Sequence, residues 1–290
     1  MFHAEDHTFA ICAYGESPFL EECIRSVIGQ SVKSNCLIAT STPNAHIRAL
    51  AEKYNVPLKV NTGEPSISHD WNCAIAHCET ALVTLAHQDD TYAENYAEAM
   101  LEAMNASAKP LIFFSDYGEL RDGEVEDDNN LLRTKRRLLK PIPSTGLASS
   151  TSQKRRIISL GSAICCPSVT FNVPELPNPP FLSNMKCDLD WEAWERFSRL
   201  EGDFVYSRKI LMHHRIHEGS ETTASIKDDS RMREDLTMLS KFWPKPVAHL
   251  IYKVYSSSQK SNNLYRLSLT VGQGIETPAR RRVRPDAFRP

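Results

Sequence analysis

The segment TFAICAYGESPFLEECIRSVIGQ, residues 8–30, changes its hydrophobic period at Gly15. Residues 8–14 form a short apolar run of strand-forming residues. After the glycine, Ser17 can cap a helix, Pro18 suits the first helical position, and apolar residues then recur at helical spacing. The segment therefore predicts a strand followed by a helix.

The same alternation continues through the first 120 residues. Further strand patterns, each but the last followed by a helical pattern, are CLIATS (36–41), PLKVNT (57–62), ALVTLA (81–86) and PLIFFSDY (110–117). Strands that alternate with helices predict an α/β fold with a mostly parallel sheet and helices on both faces. In such sheets ligands bind beyond the carboxyl ends of the strands, so functional residues are expected there.

Composition excludes several classes of protein. The 290 residues are 41% hydrophobic and 24% charged with a net charge of -2, which is typical of a globular protein and gives no general attraction to nucleic acid. The eight cysteines contain no CxxC pair and are expected to be reduced. The amino terminus lacks a basic signal region, and no apolar run approaches the roughly 20 residues that cross a bilayer. We expect a cytoplasmic protein without a nucleic-acid partner.

The remainder of the chain has weaker periodicity. PIPSTGLASSTSQKRR (141–156) predicts a flexible surface segment, whereas DLDWEAWERFSRL (188–200) has a helical apolar stripe. We place the main domain at 1–228 and a helical extension with a basic tail at 229–290. Basic runs of this kind are usually solvated, and contact with the inner face of the plasma membrane stays open as an alternative.

Two adjacent aspartates follow the fourth strand pattern in LAHQDD (85–90). Neighbouring carboxylates repel each other unless a cation or hydrogen bonds offset the repulsion. Mg²⁺ and Mn²⁺ prefer oxygen ligands and are often completed by substrate phosphates. Asp89 and Asp90 therefore indicate a metal-diphosphate site, while a turn or a helix cap before YAENYAEAM (92–100) is an equally weighted alternative.

Six segments resemble, in the expected order, those of family 2 glycosyltransferases. They are FAICAYGESPFLEECIRSVIGQS (9–31), ISHDWNCAIAHC (67–78), LAHQDD, ICCPSVTF (164–171), DLDWEAWERF (188–197) and HHRIHEGSET (213–222). The resemblance implies a GT-A fold with a C-terminal helical extension. It also implies inverting transfer of a sugar from a nucleotide-diphosphate donor, first of all a UDP-sugar, to a saccharide or lipid-linked acceptor with Mn²⁺ or Mg²⁺.

The resemblance also assigns roles to individual residues. The residues expected at the nucleotide-sugar are Ala13, Tyr14, Glu16, Ser41, Trp71, Asn72, Asp89 and Arg215. Asp89, Asp90 and His217 are the expected metal ligands, and Asp190 is the expected catalytic base. Plain core packing is the alternative for Trp71, and capping of its helix is the alternative for Asp190.

Two positions depart from the family pattern. His87 occupies the first acidic position of the DxD motif, and the second strand ends in ATSTPN (39–44), where many members carry an aspartate that holds the nucleotide. A zinc site formed by His213, His214 and His217 ranks last, because no suitably spaced cysteine pair accompanies them.

Two other functions remain as alternatives. A nucleotidyltransferase would carry a glycine-rich basic loop after the first strand, which AYGESPF (13–19) lacks. A non-catalytic module could use the same crevice to bind a nucleotide-sugar without turnover.

Overall fold

The computed structural model describes residues 1–182, 185–217, 229–254 and 256. The first half alternates as expected: β1 (His7–Ala13), α1 (Leu20–Ile28), β2 (Asn35–Thr40), α2 (Ala45–Lys53), β3 (Leu58–Val60), α3 (Ile67–Ala76) and β4 (Leu82–His87). It continues with β5 (Thr91–Tyr92), α4 (Tyr96–Asn105), β6 (Pro110–Arg121), β7 (Glu124–Glu126), α5 (Asn130–Leu139), β8 (Leu147–Ala148) and α6 (Thr151–Ile157). The last elements are β9 (Val169–Asn172), α7 (Leu189–Phe197), β10 (Asp203–Ile216) and α8 (Asp229–Ser240).

The strands form one mixed sheet in the order β3-β2-β1-β4-β9-β6-β10-β5, with β7 paired to β6 and β8 to β10. The strands β3, β2, β1 and β4 are parallel, as predicted. β9 lies antiparallel between β4 and β6, which the alternation of the first 120 residues does not indicate. The α/β class is confirmed, and the antiparallel strand divides its parallel half from the rest of the sheet.

Alternate residues of β1 supply the two faces of the sheet, as the strand period of two requires. Phe9 and Ile11 pack in the cluster that contains α1, whereas Ala10 packs in the cluster that contains Trp191 and Trp194 of α7. Both tryptophans are fully buried. The helical stripe expected in residues 188–200 is therefore the inner face of α7.

The expected flexible segment at 141–156 is wrong. Its second half forms α6, and the Lys154 side chain in that helix is fully buried. Lys154 Nζ donates hydrogen bonds to the carbonyl oxygens of Leu200 and Gly202, both at 2.6 Å. Buried carbonyl groups need donors, and this lysine provides them, which gives an ordered role to a residue that looked like part of a solvated basic run.

The described part of the C-terminal extension packs on the sheet domain, because Met238 and Leu239 of α8 are fully buried in the core cluster that contains Trp194. Residues 245–254 are also helical. The expected basic tail lies beyond residue 256, outside the described residues. The expected domain boundary at 228 stays a prediction, because residues 218–228 are also outside them. In the described ranges, no helix has the length and apolar character that a membrane crossing needs.

Candidate active site

The aspartate doublet lies in the turn between β4 and β5. The Asp90 amide donates to the His87 carbonyl oxygen at 3.1 Å and closes this turn. The N-cap position of α4 is Asn95, five residues beyond Asp90. The doublet therefore follows a strand end and lies in a turn, which agrees with one half of the alternative to a metal site, whereas the other half, a cap of the next helix, is wrong.

Asp90 is turned into the protein, where its side chain is fully buried. Its Oδ1 accepts from His214 Nδ1 at 3.0 Å and from the Arg215 amide at 2.9 Å. Burial alone would raise the pKa of Asp90, but the charge and hydrogen bond of His214, with His87 and the Arg215 amide, lower it overall. Burial would likewise lower the pKa of His214, and Asp90 raises it overall. The two side chains form an ion pair in which Asp90 is fully buried and His214 has 23% of its side chain exposed.

Asp89 remains at the crevice, with 24% of its side chain exposed. Its Oδ1 accepts from Ser17 Oγ at 3.0 Å, and its Oδ2 lies 3.0 Å from His217 Nε2. Ser17 follows β1 and His217 follows β10, so this carboxylate is held from two different strand ends. The expected neighbours Asp89 and His217 are thus brought together.

The Arg215 side chain contacts the backbone of the doublet. Its Nε donates to the Asp89 carbonyl oxygen at 2.8 Å, and its guanidinium lies 4.4 Å from the ring centroid of Phe19. Arg215 is 7% exposed, and its Nη2 pairs with Glu22. The guanidinium expected at a phosphate is engaged within the protein in this structure.

The residues expected at the nucleotide after β1 differ in exposure. Ala13 is buried, Glu16 is exposed and Tyr14 has 60% of its surface accessible. The backbone of Tyr14 pairs with the side chain of Gln88, which accepts from the Tyr14 amide at 3.0 Å and donates to its carbonyl oxygen at 3.1 Å. Gly15, in the left-handed region at φ 62°, follows directly. The exposed Tyr14 is thereby fixed beside the aspartate turn.

Asp70 joins the ends of β2 and β3. Its Oδ2 accepts from Ser41 Oγ at 2.9 Å, and its Oδ1 accepts from Asn61 Nδ2 at 2.9 Å. Both partners directly follow their strands. The chain therefore has a carboxylate beside the expected residue Ser41, although the second strand itself ends without one.

Trp71 and Asn72 face residues near Phe181. The Trp71 ring stacks on His87, with centroids 5.1 Å apart and an interplanar angle of 25°, and meets Phe181 edge-on at 4.9 Å. Asn72 Nδ2 donates to the Phe181 carbonyl oxygen at 2.8 Å, and its Oδ1 accepts from the Phe181 amide at 3.1 Å. These residues support the crevice through packing, and burial lowers the pKa of His87, which favours a neutral imidazole.

Asp190 lies in the first turn of α7 and is partly buried. Its Oδ1 accepts from the Trp191 amide at 2.7 Å. Burial raises the pKa of Asp190 above its ordinary value, against the opposing effects of that amide and of the Lys135 and Arg231 charges. A carboxylate with a raised pKa is better suited to accept a proton than an ordinary one.

A short segment of residues 165–168 connects the doublet to Asp190. Burial raises the pKa of the Cys165 and Cys166 thiols, and the charges of Asp90 and Asp190 both contribute to each rise. Tyr92, which follows the doublet, holds this segment through a 2.6 Å hydrogen bond from its hydroxyl to the Pro167 carbonyl oxygen. The tertiary structure thus brings the aspartate turn and the candidate base to one region.

The three histidines of β10 and its end do not form a zinc site. His213 pairs with Asp127, His214 with Asp90 and His217 with Asp89. Across the described ranges, no three histidine, cysteine or acidic side chains are grouped to hold a metal ion. This includes the expected set of Asp89, Asp90 and His217.

Three residues at the site have roles that the sequence did not predict. His214 pairs with Asp90, Gln88 holds Tyr14 and Ser17 holds Asp89. Ser17 and Gln88 lie within segments that already carried a functional pattern, but their partners are 72 and 74 residues away. No pattern in the neighbouring sequence indicates which residues Ser17 and Gln88 bind.

The parallel strand ends, the polar turn after β4 and the mixed sheet agree with a GT-A fold. The model of glycosyl transferase family 2 matches residues 8–157, and the chain belongs to this family. It is a glycosyltransferase by family and by fold. A comparison with curated protein sequences gave no match.

Solved structures confirm the fold. TarS of S. aureus, in complex with UDP-GlcNAc, has a TM-score of 0.56 and 14% identity, over 88% of this chain and 72% of that chain. The mannosyltransferase PcManGT of Pyrobaculum calidifontis, in complex with GDP-Man and Mn²⁺, has a TM-score of 0.63 and 11% identity, over 94% and 77% of the two chains. Glucosyl-3-phosphoglycerate synthase of Mycobacterium tuberculosis has a TM-score of 0.51 and 10% identity, over 81% of this chain and 79% of that chain.

Proposed function

We propose that this protein is a metal-dependent, inverting glycosyltransferase that moves a sugar from a nucleotide-diphosphate donor to a hydroxyl of a saccharide or lipid-linked acceptor. The observation that carries the proposal is that the aspartate turn after β4 and the first turn of α7 both lie near residues 165–168. Asp89 keeps 24% of its side chain exposed and is held by Ser17 and His217, whereas the partly buried Asp190 has a raised pKa. The Asp89 carboxylate suits the binding of a cation, and the Asp190 carboxylate suits the acceptance of a proton.

A UDP-sugar is the first donor that we propose. Two proteins similar in fold, TarS and PcManGT, were solved with UDP-GlcNAc and with GDP-Man. In this chain, the exposed Tyr14 and the Ser41–Asp70 pair lie at the ends of β1 and β2, where a nucleotide would bind in a sheet of this type. Asp70 would supply the carboxylate that the second strand lacks.

The residues present fit a cation with few protein ligands. Asp89 Oδ2 and His217 Nε2 are in contact with each other at 3.0 Å, and a cation that binds both would take the place of this contact. Mg²⁺ commonly uses one or two carboxylates and completes its coordination with waters and substrate phosphates. Asp90 is a weaker candidate, because its free oxygen, Oδ2, is buried. A bound Mn²⁺ or Mg²⁺ would stabilise the negative charge on a departing diphosphate.

Asp190 would act as the base. The acceptor oxygen forms a bond to the anomeric carbon from the face opposite the leaving group, while the bond from that carbon to the phosphate oxygen breaks. The proton of the acceptor hydroxyl passes to a carboxylate oxygen of Asp190 and then to solvent. The bonding electrons leave with the nucleoside diphosphate, and the anomeric configuration inverts.

The first test is a donor screen on the full chain. UDP-, GDP-, CDP- and dTDP-sugars are incubated with the protein, with and without Mn²⁺, while nucleotide release and thermal shift are measured. Metal-stimulated release with one donor supports the proposal, and the anomeric proton coupling of the product tests inversion. Tight donor binding with no turnover across acceptors would instead support a binding module.

The place of action is a separate proposal. We infer a cytoplasmic enzyme that could contact the inner face of the plasma membrane when its acceptor is lipid-linked. Sedimentation with anionic liposomes at low and high salt tests this contact, because attraction between basic residues and the lipid surface weakens with salt.

A further inference from the structure

Glu234 of α8 binds the backbone that leads into α7. Its Oε2 accepts from the amides of Cys187 at 2.7 Å and Asp188 at 3.1 Å, and both carboxylate oxygens accept from the Lys186 amide at 3.0 and 3.1 Å. Amides at the start of a helix have no acceptor within the helix. A carboxylate from a segment 46 to 48 residues away provides one, and its negative charge suits the positive end of the helix dipole.

The residue that would ordinarily cap α7 does not do so. Asp188 occupies the N-cap position, but its side chain makes no capping hydrogen bond. It is 3% exposed and lies against the Asp235 carboxyl group, with Arg231 nearby. Glu234 thus binds the amides of the N-cap residue Asp188 and of the two residues before it, and this contact, rather than a side-chain cap, holds the backbone that leads into α7.

The helix that carries Glu234 is firmly placed. Met238 and Leu239 are fully buried, Arg155 Nη2 donates to the Lys241 carbonyl oxygen at 3.0 Å, and Trp243 Nε1 donates to the Ser159 carbonyl oxygen at 2.8 Å. Because α8 is fixed to the core, the Glu234 carboxylate stays in place, and a movement of α7 would break its hydrogen bonds. The contact consequently fixes the start of α7 relative to the core.

Asp190 lies only two residues beyond the last amide that Glu234 holds. We propose that Glu234 is a positioning residue for Asp190, so that α8 belongs to the catalytic machinery of the sheet domain. This inference rests on the proposed function, because it takes Asp190 as the base. A base must lie within hydrogen-bonding reach of the acceptor hydroxyl, and a displacement of about 1 Å can lower the rate by about 100-fold.

The test compares Glu234→Ala and Glu234→Gln with the wild-type full chain, using a donor that the wild type turns over. We expect Glu234→Ala to lower kcat for transfer by about 10- to 100-fold, with donor affinity within about twofold. Glu234→Gln keeps one acceptor oxygen and should recover part of this loss. Glu201→Gln is the matched control, because it neutralises an exposed carboxylate at the amino end of β10 and should leave kcat unchanged.

Hydrogen exchange of the peptide that covers residues 185–192 is measured on the same proteins without substrate. Faster exchange there in Glu234→Ala, together with the lower kcat, supports the inference. Wild-type kcat in both Glu234 variants overturns it, and so does a loss of donor affinity in Glu234→Gln equal to its loss of kcat. Failure of the proposed function has a different result, in which the wild type itself transfers no sugar.

Discussion

His214 donates from Nδ1 to Oδ1 of Asp90 at 3.0 Å, and this partly buried pair joins the turn after β4 to β10. The two residues are 124 positions apart in the chain. Each changes the pKa of the other in the direction that favours an ion pair. The second aspartate of the doublet is therefore a structural anchor for the first.

The two aspartates should respond differently to truncation. Asp90→Ala leaves the partly buried His214 without its counter-ion and the Arg215 amide without its acceptor, and we expect a loss of about 2–4 kcal/mol in the free energy of unfolding. Asp89→Ala removes a partly exposed carboxylate and should cost about 1 kcal/mol while abolishing metal-stimulated transfer. Urea unfolding and donor turnover are measured on both variants. Equal stability of the two would contradict the division of roles.

The Asp90–His214 pair also predicts how stability depends on pH. The folded pKa of His214 is raised, so its contribution is complete below the unfolded value of about 6.5 and is lost as pH rises through the folded pKa. The folded pKa of Asp90 is lowered, so its contribution is complete above about 3.8 and is lost as pH falls through the folded pKa. Unfolding is followed from pH 3 to 9, and His214→Gln should remove the alkaline part of the dependence.

Asp190→Asn should separate binding from transfer. The amide cannot accept the acceptor proton, and we expect kcat to fall by about 10²- to 10⁴-fold while donor affinity measured by calorimetry stays within about twofold. In the wild type, the raised pKa of Asp190 should move the acid limb of the kcat profile above pH 4. A variant that transfers sugar at the wild-type rate would remove Asp190 from the mechanism.

Asp235→Asn should stabilise the protein at alkaline pH. Burial raises the pKa of Asp235 to about 6, so wild-type stability falls as pH rises from about 4 through about 6. The variant lacks this titration and can donate a hydrogen bond to Asp188. We expect a gain of about 1–3 kcal/mol at pH 8, obtained from thermal unfolding. The same melting curve for wild type and variant at pH 8 would show that ionisation of Asp235 beside Asp188 does not destabilise the protein.

Asn72→Ala should affect stability more than donor affinity. The change removes both hydrogen bonds to the Phe181 backbone, and we expect a loss of about 1–3 kcal/mol in the free energy of unfolding. Nucleotide affinity is measured by calorimetry at a temperature where the variant is folded. A large loss of affinity with unchanged stability would place Asn72 in direct contact with the donor instead.

Much of the fold could be predicted from the sequence because its signals are local. Strand and helix periods alternate within windows of about ten residues, and the segment at 8–30 contains its own strand, turn and helix, although the N-cap position is Phe19 and not Ser17 as predicted. The position of Asp89 at a strand end follows from the same pattern. The antiparallel strand β9 does not, because its place between β4 and β6 depends on partners far along the chain.

The sequence by itself determined the α/β class, the parallel half of the sheet and the region in which polar residues gather. Only the tertiary structure decided that Asp89 stays at the crevice while Asp90 turns inward, and that Glu234 binds the backbone that leads into α7. The physical reason is the range of the interactions. Hydrophobic periodicity acts between near neighbours, whereas a buried carboxylate takes whichever donor the folded chain brings within about 3 Å.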